Sequence, residues 1–322
     1  MIVRWGLQEL PGLLDELGAH HPYLITTHRW LDLALPVEPI DTWASSPSHE
    51  VERVAELARG AGVMLALGGG SAIDLGKAVS AATGLPLVSI PTTYSGAEWT
   101  TFFGVRDADR RMRGGGAGAH PAGIVYEPQL TLELPRAPSC GTALNALAHC
   151  AEALYVSGHN DEADRHALAG ARLIAASLPA VLENGRDLGA RTTLLEGACE
   201  GGAALGASFL ALGHAMAQAL GGRYGLPHGT LNAICLPPAL RFNAEAAQDS
   251  IDRLAEAMGV EDPASWVEER ARSVGFTGLR ALGVPEEDLA EVAEATAERP
   301  GAKANPRSAS PAQIAGLLRS VW

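Results

Sequence analysis

The sequence predicts a two-part fold: an N-terminal α/β domain with a parallel sheet and helices on both faces, then an all-helical C-terminal domain. Before about residue 137, apolar segments alternate with helical ones, and the apolar segments are continuous, as in parallel strands buried on both faces. Beyond that point strand signals nearly vanish and helical periodicity dominates. We therefore divide the chain into residues 1–137 and 138–322 and expect the active site in the cleft between the two domains.

The N-terminal part repeats strand, helix and strand along the chain. The strand segments read IVRW, YLITT at 23–27, VMLALGGG at 63–70 and PLVSIPTTYSG at 86–96. Helices are predicted over LQELPGLLDELG, over SPSHEVERVAELARGAG with a serine cap, and over AIDLGKAVSAATG. The glycine-rich stretch RGGGAGAHPAG at 113–123 is predicted to be a loop.

The C-terminal part is predicted to be helical nearly throughout. The first five segments are TALNALAHCAEALYV, DEADRHALAGARLIAASLPAVL, TTLLEGACEGGAALGASFL, HAMAQALGG and GTLNAICLPPALRFN. Four further helices are predicted at about 246–258, 263–273, 285–297 and 311–320.

Composition excludes several classes of protein. The 322 residues include 24 basic and 37 acidic ones, and the resulting net charge of −13 disfavours binding to nucleic acid or anionic membranes. None of the four cysteines forms a C-x-x-C pair, which favours reduced thiols in a cytosolic protein. The N-terminus lacks the apolar core of a signal peptide, and no apolar run approaches the length of a membrane span. We expect a cytoplasmic protein that acts on a small molecule.

A glycine turn in LGGGSAIDLGKA (67–78) ends one strand and begins a helix. Glycines allow close approach of a ligand, and the free N–H groups and dipole of a helix start suit a pyrophosphate. The turn differs from the common G-x-G-x-x-G fingerprint. Ser71 and Asp74 also stand at the spacing of a capping box, a reading compatible with phosphate binding. The residues assigned to the cofactor here are Gly68, Gly69, Gly70, Ser71 and Asp74.

Hydroxyl residues follow the next strand, in PTTYSGAEWT (91–100). Thr92, Thr93 and Ser95 lie where open α/β sheets bind ligands and are assigned to a cofactor ribose or phosphate. The alternative is a Ser/Thr-rich turn that satisfies its own backbone.

Histidines provide the second candidate constellation. Asn145 and His149 are four residues apart on one predicted helix face, and His214 and His228 follow on either side of a Gly-Gly break. A single histidine is more often structural than a ligand. Four ligand-type residues from different helices, two of them on one face, could instead converge on one site.

Several segments together resemble one family. They are PTTYSG, YEPQLT, GTALNALAH, LGGRYGLPHGTLNAICLPPALRFN and ANPRSASPAQIAGLLRSVW. On these segments the chain resembles the iron-containing alcohol dehydrogenase superfamily, and within it most closely the maleylacetate reductases. The resemblance implies a dehydroquinate synthase-like fold, NADH or NADPH as cofactor, a homodimer and a place in aromatic compound catabolism. The stretch TTHRW (26–30) has no acid for a ribose hydroxyl, and Arg29 suits a 2′-phosphate, which favours NADPH or dual use.

The resemblance also bears on metal binding. In metal-dependent members an Asp and three His bind iron or zinc, at positions that correspond here to Asn145, His149, His214 and His228. Maleylacetate reductases resemble this chain in having Asn at the first position. An amide removes the anionic ligand from the set, so we expect no metal. The alternative is zinc or iron held by the three histidines.

The implied chemistry assigns roles to the remaining candidates. A maleylacetate-type substrate carries a C=C bond conjugated to a ketone, and hydride addition moves negative charge onto the carbonyl oxygen, which needs a donor. The three histidines are candidates for that donor and for the proton. Substrate carboxylates need cations, for which Arg106, Arg113, Arg223, Arg241 and Arg307 are candidates by type. Arg223 and Arg307 resemble family positions near the cleft and, with Tyr94, are assigned to substrate binding.

One departure from the family concerns Gln218. Four residues after His214 the family generally has a second, catalytic His, whereas this chain has Gln218, which donates hydrogen bonds but shuttles no proton. We predict an NAD(P)H-dependent reductase of a maleylacetate-like oxo-dicarboxylate. The alternatives are a metal-dependent alcohol or aldehyde dehydrogenase, and a non-redox enzyme or ligand-binding scaffold recruited from this fold.

Overall fold

The computed structural model describes residues 1–45, 49–107 and 111–322. Within this part the chain forms two compact units. The first unit contains Met1–Thr93 and Ala97–Leu132. The second contains Tyr94–Gly96 and Glu133–Trp322. The main division thus falls a few residues before the predicted boundary at 137.

A parallel sheet of six strands forms the centre of the first unit. Its strands are β1 (Ile2–Trp5), β2 (Pro22–Ile25), β3 (Asp41–Trp43), β4 (Val63–Gly68), β5 (Pro86–Pro91) and β8 (His120–Tyr126). They lie in the order β1-β8-β5-β4-β2-β3, and every neighbouring pair is parallel. A separate antiparallel pair consists of β6 (Phe103–Arg106) and β7 (Met112–Gly116).

Helices cover both faces of this sheet. They are α1 (Leu10–Glu16), α2 (Val51–Leu57) and α3 (Gly70–Thr83). Successive residues of β4 point to opposite faces, so Leu65 packs in one core with Leu13 of α1. Met64 packs in the other core with Val54 of α2 and Ile73 of α3. The predicted α/β arrangement with strands buried on both faces is confirmed.

The strand order reverses direction between β2 and β4. From β2 the chain continues to β3 on one side, and then returns to pair β4 on the other side of β2. Open α/β sheets bind ligands at the carboxyl ends of the strands where such a reversal occurs. At this end Thr26 donates its hydroxyl hydrogen to the carbonyl of Leu67 at 3.0 Å. The glycine turn that follows β4 therefore lies at the expected ligand-binding edge.

The prediction of a loop at 113–123 is wrong, because most of this stretch lies in two strands. Its first part belongs to β7 and its last part begins β8. In β7, a Cβ at Gly115 would lie 2.8 Å from the Phe103 carbonyl oxygen, and one at Gly116 would meet the Phe103 ring at 2.9 Å. Glycine here permits close strand pairing, which overrides its preference for loops. The predicted serine cap of α2 falls at residues 46–48, outside the described residues.

Lys77 fastens a loop to α3. Its side chain is 1% exposed, and Nζ donates to the carbonyls of Ala97 and Phe102, both at 2.7 Å, and to Thr100 Oγ1 at 3.1 Å. The ammonium also pairs with Asp74 Oδ1 at 2.9 Å. A buried charge is tolerated only when it is paired and hydrogen-bonded, and Lys77 meets both conditions.

Replacing Lys77 by methionine removes this cation while keeping the side chain's length. We expect the free energy of unfolding to fall by about 3–5 kcal/mol, because the acceptors lose a buried charged partner. Urea denaturation of the full chain measures the change. The matched control is Lys303→Met, because the Lys303 ion pair with Glu298 is exposed and its loss leaves the urea midpoint nearly unchanged. Equal effects of the two substitutions would show that Lys77 is not a fastening point.

The second unit is built from helices. They are α4 (Arg136–Ala153), α5 (Asp161–Glu183), α6 (Leu188–Ala207), α7 (Leu212–Tyr224), α8 (His228–Met258), α9 (Pro263–Arg272), α10 (Leu289–Ala297), α11 (Pro300–Lys303) and α12 (Pro311–Ser320). The predicted all-helical region is confirmed. The helix predicted separately at 246–258 continues α8 across a kink at Ala247, where φ is −143° and ψ is 35°.

The apolar residues of these helices form a core centred on α7. Leu212 and Leu220 of α7 pack with Leu231 of α8, Val292 of α10 and Ile314 of α12. Over the described residues, no single helix has the length and apolar character of a membrane span. In the same part of the chain, one pair of helices, α6 with α7, reaches that length and apolar character together, but the two are bent by 97°.

Candidate active site

Three imidazoles from three helices meet in the second unit. The ring of His149 on α4 stacks on that of His214 on α7, with centroids 4.8 Å apart and planes inclined by 16°. The ring of His228 on α8 lies 5.7 Å from that of His214 at an angle of 49°. His149 and His214 are 4% and 0% exposed. The structure therefore brings together histidines that are far apart in the sequence.

Each histidine has an amide residue four positions away on its own helix. These amides are Asn145, Gln218 and Asn232. Asn232 Nδ2 donates to Asn145 Oδ1 at 2.5 Å and to His228 Nε2 at 2.9 Å. Asn145 Nδ2 lies 3.4 Å from His149 Nε2 and donates to the Ser95 carbonyl at 2.9 Å. Hydrogen bonds thus link two of the amides to each other and to two of the rings.

The bond to Ser95 gives a local reason for an amide at position 145. Its Nδ2 is a donor, and the Ser95 carbonyl accepts from it at 2.9 Å. A carboxylate at this position would place an acceptor oxygen against the carbonyl oxygen, and two acceptors repel. The amide of Asn145 therefore suits this backbone, whether or not a metal is bound.

Gly96 allows the same segment to approach His149. Its φ is +71°, a left-handed conformation that favours glycine. A Cβ at this position would lie 3.1 Å from His149 Cε1 and 3.4 Å from the Cα of Gly202. Any larger residue would displace the ring or the segment.

Glu152 is a central residue that the sequence analysis missed. It is 0% exposed, and its Oε2 accepts from His214 Nδ1 at 2.8 Å and from the Ala211 N–H at 2.6 Å. Its Oε1 accepts from the His214 N–H at 3.1 Å. The carboxylate lies at the N-terminus of α7, where the helix dipole favours a negative charge.

The Glu152 contact also determines which atom of His214 is available. Because Nδ1 donates to the carboxylate, the ring orientation is fixed and Nε2 faces away from it. Nε2 is buried and has no hydrogen-bond partner among the described residues. A signal for Glu152 exists in the sequence, since it is the one acid in residues 141–156 and shares a helix face with Asn145 and His149.

Burial determines the charge of His149. Burial first, and then the neighbouring His214 and His228, lower the pKa of His149 well below its usual range. The ring is therefore neutral near pH 7. Its Nδ1 is buried and has no partner in the described part of the chain.

The donor set as arranged does not fit a zinc or iron ion. His149 Nε2 and His228 Nε2 each face an amide N–H, and Asn145 Oδ1 accepts from Asn232. Such ions need several free lone pairs that converge, commonly with an anionic ligand. Residues 1–45, 49–107 and 111–322 contain no group of three or more His, Cys, Asp or Glu able to hold a metal. Metal independence itself stays a prediction.

Tyr94 does not have the surroundings of a substrate ligand. Its side chain is 0% exposed, and its hydroxyl accepts from Arg191 Nη1 at 3.0 Å. Arg191, 1% exposed, also donates to Ser139 Oγ and to the carbonyls of Leu134 and Gly185. This buried network makes Tyr94 a packing residue, which corrects its assignment to substrate binding.

The guanidinium groups of the two arginines assigned to substrate binding form ion pairs with acidic side chains. Arg223 pairs with Asp288 at 3.2 Å and with Glu291 at 2.6 Å. Arg307 pairs with Glu245 at 2.7 Å. The assignment of both arginines to substrate binding stays a prediction. Of the other candidates, Arg241 pairs with Glu268 and Arg106 lies in β6 of the first unit. The Arg113 side chain lies outside the part of the chain that the structure describes.

The glycine turn of the first unit presents an open helix start. Gly68 ends β4 with φ at +152°, and a Cβ there would meet Ala72 Cβ at 2.8 Å. Gly69 is the N-cap of α3, and no side chain caps that end. A Cβ at Gly69 would lie 3.0 Å from Thr93 Cγ2. The first N–H groups of α3 are thus free of a side-chain cap, which suits a phosphate.

The capping-box reading of this turn is wrong. Ser71 lies inside α3, which begins at Gly70. Asp74 pairs with Lys77 at 2.9 Å and accepts from the Gly104 N–H at 3.3 Å. The Asp74 carboxylate therefore serves the loop attachment, and its assignment to the cofactor stays a prediction.

The predicted hydroxyl residues divide between the two units. Thr92 and Thr93 belong to the first unit, and Ser95 belongs to the second, with the histidines. The Thr92 N–H donates to the Gly68 carbonyl at 3.0 Å, which ties β5 to the glycine turn. The hydroxyls of Thr93 and Ser95 are buried and have no partner among the described residues. Cofactor contacts for all three stay predictions.

Comparisons with known proteins agree with this architecture. Residues 4–122 match the family model described as iron-containing alcohol dehydrogenase, and residues 139–322 match that of the Fe-containing alcohol dehydrogenase family, C-terminal. The maleylacetate reductase of Burkholderia cepacia is 38% identical over 82% of this chain and 74% of its own length. That of Pseudomonas knackmussii is 34% identical over 98% of this chain and 93% of its own. The crystal structure of maleylacetate reductase from Agrobacterium tumefaciens is 30% identical, with a TM-score of 0.89, covering 100% of this chain and 95% of that one.

Proposed function

Because the chain belongs to the iron-containing alcohol dehydrogenase family, we propose that it is an NAD(P)H-dependent reductase of a maleylacetate-like oxo-dicarboxylate that works without a metal ion. The observation that carries the proposal is the state of the histidine cluster. Side-chain amides contact His149 Nε2, His228 Nε2 and Asn145 Oδ1, which are atoms that would hold a metal. His214 Nε2 has no partner among the described residues. The cluster thus offers a hydrogen-bonding group where metal-dependent relatives have an ion.

The first unit supports a dinucleotide cofactor. The uncapped start of α3 offers backbone N–H groups and the positive end of the helix dipole to a pyrophosphate. Gly69 leaves the space above these groups clear, and the buried Thr93 hydroxyl lies beside it. When bound, the reduced nicotinamide supplies the hydride for the reaction.

His214 is the residue we assign to the substrate carbonyl. When hydride adds to the activated C=C carbon, the electron pair of that bond moves and negative charge develops on the ketone oxygen. A donor already in place stabilises this charge without reorganisation. When the His214 ring carries a proton on both nitrogens, Nε2–H supplies this donor while Glu152 holds Nδ1–H. A proton taken up from water then adds to the carbon next to the ketone, the C=O bond re-forms from the enolate, and the product is the saturated oxo-dicarboxylate.

The remaining residues of the cluster position His214. His149 stacks on its ring and stays neutral, so it adds no positive charge to the site. His228 is held by Asn232, which in turn holds Asn145. Because every member is buried or hydrogen-bonded to another, the cluster is ordered before substrate arrives, which favours catalysis.

A chelation experiment tests this function. NADH and NADPH are first titrated against the protein by fluorescence, and maleylacetate reduction is then assayed before and after exhaustive treatment with EDTA, with metal analysis of both samples. We expect one or both cofactors to bind, and the rate with maleylacetate to be unchanged by chelation. Loss of activity that zinc or iron restores would refute metal independence. Failure to bind either cofactor would refute the redox function.

A further inference from the structure

Arg299 is an arginine of the second unit that has no acidic partner among the described residues. It lies between α10 and α11, is half-buried, and donates from Nη1 to Gln218 Oε1 at 3.4 Å. Its Nε is buried without a hydrogen-bond partner among the described residues. Burial lowers the pKa of Arg299 below its usual range, because its water is lost and no acid compensates for it.

The arginines assigned to substrate binding from the sequence provide the contrast. Arg223 and Arg307 both have carboxylate partners at 2.6 and 2.7 Å. Arg191 is fully buried but donates to four neutral oxygens, so its hydrogen-bonding capacity is used. Partial burial of a guanidinium with unused donors costs free energy. The chain has a net charge of −13, so an acidic partner could readily have been supplied. An anionic ligand would account for the unused donors.

Gln218 connects Arg299 to the histidine cluster. Gln218 follows His214 by four residues on α7, so their side chains share a face and stand about 6 Å apart along the axis. Arg299 Nη1 bonds to Gln218, which leaves the edge formed by Nε and Nη2 for a ligand. That edge has the two parallel donors that match a carboxylate.

We propose that Arg299 binds one carboxylate of the substrate through Nε and Nη2, and that it selects dicarboxylates over simple aldehydes and ketones. The inference rests on the proposed function for the other end of the substrate, the ketone at His214. Gln218 acts as the positioning residue, since its amide oxygen accepts from the guanidinium. A histidine at that place, as the family generally has, would repel the guanidinium whenever it was protonated.

The test uses Arg299→Met, which removes the fork, and Arg299→Lys, which keeps the charge but not the paired donors. Arg319→Met is the control, because Arg319 is exposed and pairs with Glu286. Steady-state assays give kcat and KM for maleylacetate, and calorimetry gives the Kd of fumarate, an unreactive dicarboxylate. For Arg299→Met we expect both KM and the fumarate Kd to rise about 100-fold, the worth of a charged bidentate contact, with kcat nearly unchanged. Arg299→Lys should fall between Arg299→Met and the wild type, and Arg319→Met should match the wild type.

The outcomes separate this inference from the proposed function. If the wild type reduces maleylacetate and Arg299→Met keeps its KM and fumarate affinity, the carboxylate site is refuted and the function stands. If the wild type reduces no oxo-dicarboxylate but loses fumarate binding on substitution of Arg299, the site stands and the function falls. Absence of fumarate binding by an inactive wild type overturns both. If Arg299→Met does not fold, as judged by circular dichroism, the test depends on Arg299→Lys. A KM for maleylacetate and a fumarate Kd equal to those of the wild type in Arg299→Lys would refute the paired contact.

Discussion

Glu152→Gln is expected to lower the free energy of unfolding by about 3 kcal/mol and kcat by 10- to 100-fold. The carboxylate accepts three hydrogen bonds in a fully buried position, two of them from Ala211 and His214 backbone N–H groups and one from the His214 ring. An amide replaces one acceptor oxygen by a donor, which then faces a donor. The negative charge at the start of α7 is lost as well.

Glu200→Gln is the matched control for Glu152→Gln. Glu200 also accepts from a histidine, His166 Nδ1 at 2.6 Å, but both side chains of that pair are about one-third exposed at 34% and 35%. Water replaces the lost contact there, so its effect on stability is expected to stay below about 1 kcal/mol. Urea denaturation and maleylacetate kinetics on both variants measure the difference. If Glu152→Gln behaves like Glu200→Gln in both assays, Glu152 neither caps α7 nor holds the catalytic ring.

Gly69→Val is expected to weaken NADH or NADPH binding by about 100-fold, because a phosphate loses two or so charge-assisted hydrogen bonds to the start of α3. The added side chain would begin 3.0 Å from Thr93 Cγ2 and fill the space over the free N–H groups. Fluorescence titration gives the affinity, and the helical second unit should keep its far-ultraviolet signal.

Gly12→Val controls for the general cost of the same substitution. Gly12 is in α1 of the same unit, and a Cβ there would meet no heavy atom within 4 Å. Its variant should bind the cofactor like the wild type. Unchanged affinity in Gly69→Val would mean that the turn after β4 is not the phosphate site.

The fold class can be predicted from the sequence because its signals are local. The continuous apolar run of β4, followed directly by Gly68–Gly70, indicates a buried strand and an open turn without knowledge of its neighbours. The two strands in the stretch at 113–123 could not be predicted in this way. They form by pairing with β6, β1 and β5, and the local sequence does not indicate that pairing.

The site could be predicted only in part, for the same physical reason. Asn145 and His149 share a helix face, which spacing reveals, but the Glu152 contact joins α4 to Ala211, 59 positions along the chain. The acids that occupy Arg223 and Arg307 are likewise remote in sequence. Residue type and resemblance therefore identified the histidines, while the partners that orient or occupy charged groups required the tertiary structure.

The strand order has a consequence for how the first unit acquires its structure during synthesis. β8 separates β1 from β5, with Ile2 opposite Gly123 and Ser89 opposite Ile124. Until residues 120–126 leave the ribosome, β1 has no neighbour and β5 exposes an unpaired edge, which is a template for aggregation. Sheet closure is thus a late, long-range step, and such pairing is intrinsically slow. Truncations that end before β8 should accumulate as insoluble material.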